Sequence, residues 1–231
     1  MKKGLTVILI LAILALCTGM ATAAKPEVGD VVTFGNYEQD NNIVNGAEPI
    51  EWQVLEVEKG KALLYSRYAL EKIQFNTTSA KQTWSNSTIR GWLNGIFYYE
   101  AFNADEQKYV KLTEVDESIS QADNDHPPKR IGEDTEDYVF LLSYKELSEY
   151  LTTKSSRLCR PTEHAISQGC NQSNDKNIDG KYKSCWYWLR TPAYNNNACV
   201  VDWDGSFETC YMNHAYGVAR PAIWVDTSYW E

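Results

Sequence analysis

Two hydrophobic periods divide the chain. A period of two runs through "VGDVVTFGNYEQD" at residues 28–40, "IEWQVLEV" at 50–57 and "ALLYSRYAL" at 62–70. Three strands are predicted there, the last two joined as a hairpin around Gly60. Between Thr83 and Val110 the period lengthens. Ile89, Leu93, Ile96 and Phe97 fall at helical spacing, with Ser87 or Thr88 as the cap. Gly91 and Gly95 weaken that helix and leave it dependent on packing. Asn103 with Glu106 makes a capping box that opens a second helix. From Asp116 to Asp137 the chain is acidic and polar and carries Pro127 and Pro128, the composition of a long surface loop. "YVFLLS" reads as a buried strand, and Ser143 with Glu146 as a capping box before "YKELSEYL". Thr162 caps a short helix, "EHAISQG", closed by Gly169. Strands are predicted in "CWYWLRTP", "CVVDWDGSFETC" and "GVARPAIWVD". Strands flanking grouped helices, without a repeat, predict an α+β domain.

The first residues follow a different pattern. Lys2 and Lys3 precede an apolar run from Leu5 to Leu16, and Ala21-Thr22-Ala23 supplies small residues for cleavage. That order is a secretory signal peptide over residues 1–23, with a run too short to span a bilayer. Residues 24–231 are then one secreted domain, long enough to bury its own core. Cys17 offers a lipid anchor as the alternative, although Leu16 stands where lipoprotein processing prefers a small residue.

Charge narrows the partners. The formal charge is −9, and loss of Lys2 and Lys3 with the leader makes the mature chain more acidic. Such a surface repels nucleic acid and anionic lipid, so neither is expected as a partner. Membrane attachment is expected only through Cys17.

Five cysteines remain after cleavage, Cys159, Cys170, Cys185, Cys199 and Cys210, and export makes pairing the expectation. The number is odd, so one stays free or pairs between chains. A two-residue turn at Asp204-Gly205 sets Trp203 opposite Ser206, Asp202 opposite Phe207, Val201 opposite Glu208 and Val200 opposite Thr209. Cys199 then faces Cys210, and a disulfide between them is predicted.

"DKNIDG" places Asp175, Asn177, Asp179 and Gly180 like the opening of a calcium-binding loop. The bidentate glutamate is missing, because Trp186 occupies the twelfth position. A polar turn is the plainer reading, with weak calcium binding the alternative. No other cofactor is expected. His126, His164 and His214 have no metal-ligand spacing, and no nucleophile triad or phosphate loop is recognisable. Arg190 and Arg220 lie among apolar strand residues, where burial against carbonyls and carboxylates is the plainer role and a binding surface the alternative.

In "CWYWLRTP", Trp186, Trp188 and Arg190 share one strand face and Tyr187, Leu189 and Thr191 the other. Apolar residues on both faces mark a central strand. The following loops, "AYNNNA" and "YMNHAY", combine aromatic faces with amides, which suits sugars or peptides. Tyr194, Asn196, Tyr211, Asn213 and Tyr216 are the candidate ligand-binding residues; an ordinary exposed loop is the alternative.

The combination "VGDVVTFGNYEQD", "EPIEWQVLEV", "WSNSTIRGWLNG", "FLLS", "CWYWLRTP" and "GVARPAIW" resembles the secreted bacterial domains of domain-of-unknown-function family 6273. Its closing pattern is similar to the C-type lectin-like fold, which also serves the formylglycine-generating enzymes. The resemblance implies an α+β, C-type lectin-like single domain with short antiparallel sheets, two or more helices and a loop-rich C-terminal half. It carries no established catalytic residues, and the cysteines it shares are those at 159 and 185. The expected function is a non-enzymatic extracellular or cell-surface domain binding a glycan or a surface protein. The alternatives are an enzyme of the formylglycine-generating kind using a cysteine pair, and a passive surface domain.

Overall fold

The structure, a computed structural model, describes residues 25–78, 82–122 and 131–231. The expected signal peptide and Cys17 lie outside the described residues, as does part of the 116–137 loop.

β1 (Val31–Tyr37) pairs antiparallel with β2 (Glu48–Glu58), and β2 with β3 (Lys61–Ser66). Between β2 and β3, Lys59 at φ 48° and Gly60 at φ 78° make the tight hairpin turn that needs two left-handed residues. Two short strands follow, β4 (Tyr68–Ala69) and β5 (Glu71–Lys72).

The lengthened period gives α1 (Thr88–Trp92), a π turn over Leu93–Phe97 and α2 (Tyr98–Ala101). The Ser87 hydroxyl caps it, accepting from the Arg90 N–H at 3.3 Å. Ile89, Leu93, Phe97 and Ala101 are buried, but Ile96 is 56% exposed, against the expectation that it faces the core. The π turn widens the helix, so residues four apart stay on one face and Ile96 turns to solvent.

The Asn103–Glu106 capping box forms, with the Asn103 N–H donating to Glu106 Oε2 at 2.9 Å. It opens only a single 3-10 turn, Glu106–Lys108. The chain is then drawn out straight, as the Lys111 N–H donates to the Trp224 carbonyl at 2.8 Å.

β6 (Thr113–Val115) and β7 (Thr135–Asp137) form a small hairpin. "YVFLLS" is mostly buried but is not a strand; it makes one bridge, Phe140 to Ala222, and the Leu142 carbonyl accepts from the Arg190 N–H at 3.1 Å. The Ser143–Glu146 box opens α3 (Tyr144–Tyr150), and α4 (Lys154–Arg157) follows. β8 (Arg160–Pro161) runs parallel to β4. Thr162 caps α5 (Glu163–Ser167), which Gly169 ends at φ 86°.

The last third supplies β9 (Tyr187–Pro192), β10 (Asn197–Val201), β11 (Phe207–Tyr211), β12 (Val218–Ala219) and β13 (Ala222–Asp226). Two sheets result. One has the order β1-β2-β3-β13, the other β11-β10-β9-β12-β5, and only β9 and β12 within them run parallel. The fold is α+β. No helix among the described residues is long and apolar enough to cross a membrane.

β9 is buried along its whole length. Trp188 has no exposed surface, and its Nε1–H donates to the Ile73 carbonyl at 2.8 Å. Arg190 is buried too. Its Nη2 donates to Glu146 Oε1 at 2.7 Å, its Nη1 to the Leu141 carbonyl at 2.9 Å, and Glu117 lies 3.3 Å from its Nε.

The β10–β11 hairpin differs from its expected register by one residue. Cys199 stands opposite Thr209, Ala198 opposite Cys210, Val200 opposite Glu208 and Val201 opposite Phe207. The connection is a three-residue loop, Trp203-Asp204-Gly205, with Gly205 at φ 81° and Asp202 paired to Ser206. A one-residue slip moves a side chain to the other face of the sheet. Cys199 and Cys210 therefore point to opposite faces and do not form the expected disulfide with each other.

Candidate ligand-binding site

The hairpin register lays one row of side chains across three strands. Trp188, Val200 and Glu208 are direct neighbours on one face, from β9, β10 and β11 in turn. Trp186 lies two residues before Trp188, and Asp202 and Cys210 two beyond Val200 and Glu208, so all three extend that face. Trp186, Val200, Asp202, Glu208 and Cys210 line a groove of about 330 Å³, completed by Asn171, Trp203, Thr209 and His214, with Trp188 buried beneath it.

Trp186 is nearly buried and forms the floor with Val200. The His214 ring meets it edge-on, with centroids 5.3 Å apart, and Tyr216 meets His214 at 5.5 Å. Gly217 makes this packing possible: a Cβ there would sit 2.2 Å from Trp188 Nε1 and 2.7 Å from Trp186. Burial raises the Cys210 thiol, and Asp202 beside it raises it further.

Trp203 stands at the rim, 42% exposed. Its backbone is tightly held. The Trp203 carbonyl accepts from Asn177 Nδ2 at 2.6 Å and from the Ser184 hydroxyl. Arg157 Nε donates to the Gly205 carbonyl at 2.8 Å, and Lys154 pairs with Asp204 at 2.8 Å. Gly205 packs so closely that a Cβ would lie 2.0 Å from the Lys154 carbonyl oxygen. An exposed indole is thus presented on a fixed backbone. Asp202 and Glu208 make no side-chain hydrogen bond or ion pair among the described residues, which leaves their oxygens to accept from a ligand.

The expected ligand residues are divided by the structure. Tyr216 adjoins the groove through His214. Tyr194 and Asn196 lie beyond the other end of β10, where Asn195 and Asn196 take left-handed backbone at φ 54° and 64°. The Asn196 carbonyl accepts from the Met212 N–H at 3.1 Å, so Tyr211 and Asn213 sit at that end as well. Tyr211 is on the sheet face opposite the groove. Trp186, Trp203, Asp202 and Glu208 were not among the expected residues, whereas His214 belongs to the expected segment "YMNHAY". The three-residue turn would have found Glu208, since it sets Glu208 opposite Val200, on the face that Trp186 and Asp202 share.

Asn177, expected as a metal ligand, is spent inside the loop: its Oδ1 accepts from the Ser184 N–H at 3.0 Å, and its Nδ2 donates to Ser184 and Trp203. Asp179 and Gly180, at φ 51° and 63°, turn the chain beside Asp175. Among the described residues, carboxylate oxygens close enough to share a cation come from Glu38, Asp40 and Glu48, all near the surface.

Two other concavities are less suited to a ligand. One of about 470 Å³ holds Lys59, Lys61 and Lys111, but Lys111 pairs with Asp226 at 2.6 Å and Lys61 sits 4.0 Å over the Trp224 ring. Another of about 210 Å³ lies between Gln39, Tyr68 and Arg160, whose guanidinium is held by Glu163 at 3.2 Å.

Residues 59–227 match the family model described as Domain of unknown function (DUF6273). The match leaves out "VGDVVTFGNYEQD" and "EPIEWQVLEV", and with them β1 and β2. No curated protein and no solved structure matches the chain.

Proposed function

The chain belongs to the DUF6273 family, defined by its sequence and not by an activity, and we propose that it is a non-enzymatic domain that binds a neutral glycan in the Trp203 groove. One observation carries this reading: the exposed Trp203 indole is held on a clamped backbone in one groove with two carboxylates, Asp202 and Glu208, that have no partner among the described residues. A sugar stacks its C–H face on an indole and donates hydroxyl hydrogens to carboxylate oxygens. Asn171 at the rim adds an amide donor and acceptor. The two carboxylates and the overall charge of −9 disfavour acidic sugars.

The buried sulfurs favour binding over cysteine-based catalysis. A catalytic thiolate must be accessible, whereas Cys159, Cys170, Cys185 and Cys199 are buried, and the partly buried Cys210 in the groove has its thiol pushed up by burial, away from the thiolate. The groove favours binding over a passive surface role. We extend the proposal to export and to a C-type lectin-like arrangement. The leader pattern supports export. The sharing of one sheet by the first and last strands, β1 and β13, supports the arrangement, as does a groove built from the irregular C-terminal half.

The test is a glycan array probed with the chain from residue 25. Binding to neutral glycans, lost in Trp203→Ala, is expected. Retention of every signal by Trp203→Ala overturns the assignment of the groove.

A further inference from the structure

A second group of side chains, separate from the groove, is built around two cysteines. Cys159 and Cys185 stand directly opposite each other in an antiparallel bridge, with the Cys185 N–H donating to the Cys159 carbonyl at 2.9 Å. Opposed residues in such a bridge send their side chains to the same side, with Cβ atoms about 4.5–5.5 Å apart. That approaches the separation a disulfide spans. Each residue is 1% exposed. Cys170 lies nearby but does not complete a three-sulfur metal site: among the described residues, no group of three or more ligand atoms includes a sulfur.

The surroundings are unusual for a pair of inert thiols. Arg220 is 3% exposed and forms no ion pair with a carboxylate among the described residues. Its Nε donates to the Ser66 carbonyl at 2.8 Å and its Nη1 to the Tyr187 hydroxyl at 3.2 Å, and the guanidinium lies 4.1 Å over the Tyr65 ring. The Tyr65 hydroxyl is buried without a hydrogen-bond partner. A buried cation lacking a counter-charge is costly. The group beside it that can supply one is Cys159. Burial alone would raise that thiol, but the hydrogen bond from Cys185 and the charge of Arg220 bring it below the usual range. Burial pushes Cys185 far up, and Cys159 adds to the effect. Of the two sulfurs, Cys159 is the one whose ionised form Arg220 favours, while Cys185 is held as a thiol, its Sγ donating to the Cys159 carbonyl at 3.6 Å.

We propose that Cys159 and Cys185 are a redox pair that closes as a disulfide by exchange with an external disulfide, and that Arg220 makes the closed bond easier to reduce. The oxidant is of the glutathione or dithiol-oxidoreductase class. The Cys159 sulfur attacks the external disulfide, forming a mixed disulfide and expelling one external thiolate. Cys185 then loses its proton and attacks the Cys159 sulfur, expelling the second. Two cysteine thiols lose two electrons and two protons, and one external disulfide gains them as two thiols. Closing the bond removes the ionisable sulfur whose anionic form Arg220 favours, so the oxidised form forgoes that interaction with the buried cation. That cost favours the dithiol. Burial of both sulfurs makes exchange depend on local opening, so it is slow in the folded chain.

The experiment uses the chain from residue 25, equilibrated in glutathione buffers from the reduced and the oxidised side, then alkylated and mapped without reduction. A linked Cys159–Cys185 peptide is expected, with Cys170, Cys199 and Cys210 alkylated. Any other pairing, or alkylation of all five, overturns the proposal. Arg220→Gln should shift the glutathione equilibrium about tenfold toward the disulfide. Should that variant not fold, Tyr187→Phe, which removes the hydroxyl holding the guanidinium, should shift it in the same direction. An equilibrium unchanged in the folded variant overturns the role given to Arg220.

Discussion

The carbonyl oxygen of Trp203 accepts a hydrogen bond from the side-chain amide of Asn177 at 2.6 Å, which ties the exposed indole to a loop 26 residues earlier. Asn177 is bonded on both sides of its amide, so its loss frees the hairpin tip and leaves Ser184 short of a partner. Asn177→Ala should cost about 1–3 kcal/mol of stability. It should also weaken glycan binding without touching the ligand. Urea unfolding and calorimetric titration of the same variant check both effects. Unchanged affinity would show that the clamp does not position the indole.

Gly205 is left-handed at φ 81°, and a Cβ there would meet the Lys154 backbone at 2.0 Å. Neither strain is relieved by rotating a side chain. Gly205→Ala should therefore destabilise by about 2–4 kcal/mol. Thermal melts check this, and a variant that melts like the parent would contradict the close approach of the hairpin to α4.

Trp188 and Trp203 predict opposite mutational patterns. Trp188 is fully buried and packed against Phe75 and Trp186, so Trp188→Ala should cost about 3–5 kcal/mol. That is a large part of a domain's stability of about 5–15 kcal/mol. Trp203→Ala removes an exposed ring and should change stability by about 0.5 kcal/mol or less. Chemical denaturation of the two variants separates core from rim.

Glu117 gives the fold a pH dependence. Burial raises its carboxyl to about 8, and the neighbouring Arg190 only partly offsets that. Its Oε2 is buried without a hydrogen-bond partner. Because the folded value lies above the unfolded one, its contribution is complete at acid pH and is lost as pH rises through about 8. Stability should fall between roughly pH 5 and 8, by at most about 1.4 kcal/mol per pH unit from this group. Melts of the parent and of Glu117→Gln across that range check it. The variant should lose the slope, and an equal slope in both would assign the pH dependence elsewhere.

Much of the fold was legible because local chemistry and tertiary packing agree. Ser87, Ser143 and Thr162 cap the helices their sequences mark, and Gly60 turns the first hairpin. Where the two disagree, the sequence misleads. Asn103 and Glu106 promise a helix, but pairing of Lys111 with Trp224 takes the chain away after one turn. The Asp204-Gly205 dipeptide suits both a two-residue and a three-residue turn. The choice between them is made at a distance, by Arg157 and Lys154 holding the tip and Asn177 holding Trp203. That one residue of register moves Cys210 to the groove face and sets Glu208 beside Val200. The site was hidden for this reason. Its residues come from 171 to 214, and only the correct register brings Glu208 and Cys210 to the face of Trp186 and Val200.

The most direct test of the glycan-binding assignment follows the indole and backbone N–H signals of the ¹⁵N-labelled chain while chitotriose, cellotetraose and lactose are titrated in turn. The account predicts that a binding saccharide moves the Trp203 and His214 resonances in a saturable way and leaves Trp188, sealed beneath the groove, almost unmoved. A saccharide that binds while the Trp203 and His214 signals stay in place would contradict it, as would the failure of any neutral saccharide to move them.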